Sequence, residues 1–81
     1  MDQNKPDRVT ITNIGHSVYD LRIGSASHFM QGTIRRDSET RLWSLITAGR
    51  IDAGYQTRAV AIDAFRSLFA RSLEAYRDAR R

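Results

Sequence analysis

The 81-residue sequence has no cysteine, one proline (Pro6), one lysine (Lys5) and two histidines (His16 and His28). Without cysteine there is no disulfide framework, no thiolate nucleophile and no cysteine-ligated zinc site. Small secreted domains usually depend on such staples, so a reducing, cytoplasmic setting is expected. Long apolar runs are missing as well. The longest, at positions 59–62 (AVAI), has four residues, against the roughly 20 needed to span a bilayer. Residues 1–8 (MDQNKPDR) are polar throughout and do not read as a signal peptide. No membrane association is expected.

What is present suits one small domain, residues 8–81, preceded by a loose tail at 1–7. Chains this short bury only about 60% of the surface they expose when unfolded. That excludes a deep cleft between two lobes and a two-domain cofactor site, and no cofactor is expected. Lysine and arginine total 13 against nine acids, a formal net charge of +4. Residues 1–40 hold five basic and five acidic groups, whereas residues 41–81 hold eight arginines against Asp52, Asp63, Glu74 and Asp78. Twelve of the 13 basic residues are arginine. The planar guanidinium makes bidentate contacts with phosphate or carboxylate and is less strongly hydrated than an ammonium. Codon bias in a GC-rich genome would produce the same excess, so the asymmetry has a compositional explanation beside the functional one.

The pattern of side chains predicts an α+β fold. Residues 8–14 (RVTITNI) and 17–24 (SVYDLRIG) are β-branched or alternating runs separated by a Gly-His turn signal, which reads as a β-hairpin. Residues 28–36 (HFMQGTIRR) make a third strand, with Met30, Gly32 and Ile34 on one face and Phe29, Gln31, Thr33 and Arg35 on the other. Residues 41–47 (RLWSLIT) make a fourth, a short helix being the competing reading. Residues 49–54 are a glycine-bracketed loop or at most a short fifth strand. Thr57 is a suitable N-cap, and Ala61, Phe65, Leu68, Phe69, Leu73 and Tyr76 recur at helical spacing through about residue 80. The expected architecture is a small antiparallel sheet of three to five strands packed by one long C-terminal helix over 58–80. The last helical turns would project beyond so small a sheet. They carry Tyr76 and Arg77, candidates for contact with a second copy of the chain in a homodimer or with a partner.

Catalytic chemistry has little support. Neither histidine has an acid at triad or metal-ligand spacing. Gly15-His16-Ser17 sits in a hairpin turn, not the strand-to-helix elbow that activates a serine. No glycine-rich loop leads into the helix with phosphate-cradling spacing. Gly32 reads as a bulge or a close backbone approach. No enzymatic activity and no metal site are expected.

Binding is better supported. Arg22, Arg35 and Arg36 lie on the strands, with Phe29 and Gln31 on the same strand as Arg35. Arginine and amide side chains on a sheet can hold phosphate and read base edges, and an aromatic among them can stack on an exposed base. In the alternative reading Phe29 belongs to the core and the arginines only solvate the far face. Arg50, Arg58 and Arg66 form a second candidate patch, from the loop and the start of the helix. Arg58 opposes the helix dipole there, unless it turns aside to Asp52. Trp43 is either the centre of the core or, on an open face, a hot spot for a partner.

The strands at 17–24, 28–36 and 41–47, then Tyr55-Gln56-Thr57-Arg58-Ala59-Val60-Ala61 and a helix containing Phe65, resemble the arm-type DNA-binding domain of tyrosine integrases. That family inserts a three-stranded sheet into the major groove and backs it with one helix. Thr57, Arg58 and Ala61 match its helix-start pattern, but Val60 stands where the capping glutamate belongs, and the strand at 8–14 is additional. In overall profile the chain is also similar to small phage-encoded inhibitors such as anti-CRISPR proteins. These resemblances imply a phage or mobile-element protein that engages nucleic acid or a nucleic-acid–protein complex, a CRISPR effector among the candidates. An arginine-rich face would make the contact. The alternative is an inhibitor acting by protein–protein contact alone.

Overall fold

The computed structural model describes residues 8–79. It contains β1 (Thr10–Gly15), β2 (Val18–Gly24), β3 (Phe29–Arg36), β4 (Trp43–Thr47), β5 (Arg50–Tyr55) and α1 (Arg58–Ala79). The strands form one antiparallel sheet in the order β1-β2-β3-β4-β5, so each pairs only with its neighbours in sequence. The α+β architecture expected from the sequence is present, with five strands. The tail at 1–7 and Arg80, the expected end of the helix, lie outside the described residues. No helix among the described residues is long and apolar enough to cross a membrane.

Register decides which side chains meet the helix. Tyr19 pairs with Ile34, Leu21 with Gly32 and Ile23 with Met30 across β2 and β3, and Ile34 pairs with Leu45 across β3 and β4. Leu21, Ile23, Ile34 and Leu45 are buried on this face against Ala61, Ile62, Phe65 and Phe69 of α1. A strand presents alternate residues to opposite faces, so Asp20, Arg22, Gln31, Thr33 and Arg35 face away from the helix. Phe65 is fully buried at the centre of the core. Trp43 lies on the helix side but only half-buried at the core's rim, its ring 6.1 Å from that of Tyr19.

Gly32 lets the helix sit close. A Cβ there would stand 3.0 Å from Phe65 Cε1 and 3.1 Å from both Ile46 O and Thr47 Cγ2. The β2–β3 register runs through Gly32 without a shift, so this glycine is a close approach and not a bulge. α1 begins as the sequence implies. The backbone N–H of Val60 donates to Thr57 Oγ1 at 3.1 Å, a cap worth about 1 kcal/mol. The helix lies against β2, β3, β4 and β5 but does not approach β1. All six β1 residues are consequently exposed.

Candidate nucleic-acid interface

The helix covers one face of the sheet and leaves the other open. On that open face Arg22 of β2 stands opposite Gln31 of β3, Arg35 opposite Val18, Asp20 opposite Thr33 and Phe29 opposite Gly24. Four of the residues singled out in the sequence, Arg22, Phe29, Gln31 and Arg35, are therefore together and exposed. The Arg22 guanidinium lies over the Phe29 ring, 4.1 Å from its centroid. Such a contact contributes about 0.5–1 kcal/mol at an exposed site. Phe29 remains 46% exposed, so it is not part of the core. Thr33 Oγ1 donates to Asp20 Oδ1 at 3.0 Å, which occupies one oxygen of the acid within the face. Thr10 and Thr12 of β1, together with Gln31 and Ile46, help line a shallow concavity of about 600 Å³ across these strands.

At the far end of the same face a second concavity, of about 530 Å³, includes Arg35, Arg36, His16, Asp37 and Glu39 in its lining. Asp37 opens the loop between β3 and β4. The backbone N–H groups of Glu39 and Thr40 donate to its Oδ1 at 2.7 and 3.2 Å. These two bonds hold its carboxyl below the usual value, and the charge of Arg35 acts in the same direction to a smaller degree. Arg35 therefore sits near the Asp37 carboxylate, and Glu39 lines the same concavity. Among the described residues the ion pairs within 4.0 Å are Arg50–Asp52 and Arg66–Asp63, so neither Arg22 nor Arg35 is held by a carboxylate at that range.

The other arginines expected at the interface lie outside the register of the open face. Arg36 pairs with Trp43 and belongs to the helix-side register of β3, one residue and one face away from Arg35. Arg50 Nε lies 2.9 Å from Asp52 Oδ2, and both help line a small hollow between β5 and α1 with Tyr55, Ser67 and Arg71. Arg58 does not turn to Asp52; its guanidinium lies over the Tyr19 ring, 5.0 Å from the centroid. Arg36 nonetheless lines the same end concavity as Arg35, whereas Arg50 and Arg58 lie on the helix side and do not extend the open face. Trp43 on the helix side removes the reading in which it is a hot spot on the open face. Tyr76, in the last turns of α1, stands 4.8 Å ring to ring from His28, and Arg77 beside it is exposed.

Sequence reasoning missed the apolar flank of the open face. Ile46 pairs with Ile51 of β5, and Ile51 is 70% exposed. The alternation Arg50-Ile51-Asp52-Ala53 was the available signal, polar toward the helix and apolar away from it. Among the described residues there is no cluster of three or more histidine, aspartate or glutamate side chains able to hold a metal ion. Compared with family models, curated proteins and solved structures, the chain matches none.

Proposed function

We propose that this is a non-enzymatic binding protein, of phage or mobile-element type, that engages nucleic acid through the open face of its sheet. The observation that carries the reading is the register that puts Arg22, Phe29, Gln31 and Arg35 on one uncovered face while the helix occupies the other. Arg22 and Arg35 contact phosphates, and Gln31 with the hydroxyls of Thr10 and Thr12 offers hydrogen bonds beside them. Two cations give a modest electrostatic contribution. Each neutralised phosphate adds about −0.7 to the slope of log K against log salt for a single strand, or about −0.9 for B-DNA. Two contacts therefore give a slope of about −1.4 to −1.8, a loss of about 7- to 12-fold between 50 and 200 mM salt.

Fluorescence anisotropy with labelled oligonucleotides across a salt series tests this. Arg22→Ala and Arg35→Ala should each weaken binding and flatten the slope by about half, while Arg50→Ala and Arg58→Ala should leave it unchanged. Absence of binding at low salt would end the nucleic-acid reading. A second reading, docking onto a protein surface in the manner of an anti-CRISPR inhibitor, is favoured by the Ile46–Ile51 patch on the same face. It predicts that Ile51→Lys abolishes partner capture and that binding is nearly indifferent to salt.

A further inference from the structure

We propose that the ligand of the open face is single-stranded nucleic acid, held by a base stacked at the Arg22–Phe29 pair; this rests on the nucleic-acid reading above. The first argument is dimensional. Three strands span about 10 Å, but five strands with four gaps of about 4.8 Å make a sheet about 19 Å across. The major groove is about 12 Å wide, so this face cannot enter it whole.

The second argument is where the cations sit. Arg22 and Arg35 are on β2 and β3, inside the sheet, while the outward positions of the edge strands are Thr10 and Thr12 on β1 and Ile51 on β5. Edge-on insertion of β1 would carry no positive charge into a groove, because no lysine or arginine occurs from Val9 to Asp20. A single strand has no groove to fit and can lie across the face. The third argument is the stack itself. Phe29 is nearly half exposed and the guanidinium carbon of Arg22 lies over its ring, 4.1 Å from the centroid. The pair presents an exposed aromatic and cationic surface. Bases that are already unstacked can use it at no cost in base pairing. Along β2, Arg22 and Val18, which faces Arg35, are four residues apart, so the two cations are about 14 Å apart along the strands. One strand running from the stack to Arg35 passes over Gln31, Thr33 and the Asp20 carboxylate that accepts from Thr33.

The test measures affinity for a labelled 12-nucleotide DNA strand, the RNA of the same sequence and the matching DNA duplex, all at low salt. Either single strand should bind at least about 10-fold more tightly than the duplex. The tighter of the two then names the source of the ligand. Phe29→Leu should lose about 10-fold on the single strand, the scale of one base–aromatic stack, and Phe29→Tyr should restore it. The duplex should be nearly insensitive to both. Both variants keep apolar bulk at an exposed position, and a thermal melt confirms that they fold. Duplex binding equal to or tighter than single-strand binding overturns the inference and leaves the nucleic-acid reading standing. Single-strand binding unaffected by Phe29→Leu overturns it too. If no form binds, both fall together.

Discussion

Gly32→Ala probes the join between sheet and helix with one methyl group. The added Cβ would lie 3.0 Å from Phe65 Cε1 and 3.1 Å from the Ile46 carbonyl oxygen and Thr47 Cγ2. Two of these cannot move aside cheaply, since Phe65 is fully buried and the Ile46 oxygen belongs to the backbone of a paired strand. Removing glycine from the unfolded chain contributes about 0.4–1 kcal/mol of stability. Overpacking a filled core costs about 1–3 kcal/mol, so the variant should be less stable by about 1–2 kcal/mol. In a domain of this size that lowers Tm by about 4–16 °C. Urea unfolding of the wild type, Gly32→Ala, Phe65→Leu and the double variant measures the effect. Phe65→Leu removes Cε1, so the double variant should be more stable than the sum of the singles by about 0.5 kcal/mol or more. The contacts with Ile46 and Thr47 remain, so rescue is partial. A neutral or stabilising Gly32→Ala, or strict additivity, would refute the close approach of Phe65 to the sheet.

Three further predictions concern the connections. Arg41 has φ of 63°, a region that costs a side chain about 1–2 kcal/mol; Arg41→Gly should therefore raise stability by about 0.5–1 kcal/mol after glycine's entropic cost, read from the urea midpoint. Thr57→Ala removes the acceptor of the Val60 N–H and should lower stability by about 1 kcal/mol, with faster amide exchange confined to the first turn of α1. Asp37 has a lower carboxyl pKa in the fold than its ordinary 3.8, so the folded state binds fewer protons than the unfolded one and stability rises with pH in that window. The stability advantage of the wild type over Asp37→Asn should be full above pH 3.8 and vanish as the pH falls through the lowered value, as paired urea melts at pH 6 and pH 3 will show.

The parts of the fold legible in the sequence are those governed by local pattern. Alternation located β1 to β4 within a residue or two, and Thr57 with the apolar spacing after it located α1. β5 was harder because Gly49 and Gly54 bracket it and read as breakers. In the fold Gly49, with φ of 70°, makes the turn into the strand, and Gly54, with φ of 94°, lies within it. The site was legible only in part. Period-two alternation groups Arg35 with Gln31 and Phe29 and puts Arg36 in the opposite register, although both side chains reach the same end concavity. Arg50 and Arg58 are held by Asp52 and by Tyr19. The second of these partners is 39 residues away in sequence and becomes a neighbour only through the packing of helix on sheet. Trp43 illustrates the same limit: its size suggested the centre of the core, but its place near the start of β4 leaves it at the rim, and Phe65 holds the centre.

The claim that the open sheet face is the binding surface is tested most directly by amide chemical-shift mapping during titration with a short single-stranded oligonucleotide. Shifts should concentrate at Thr10, Thr12, Arg22, Phe29, Gln31 and Arg35, with the helix side of β5 and α1 undisturbed. Shifts centred instead on Arg50, Arg58 and Arg71 would contradict the account and move the binding surface to the opposite side of the molecule.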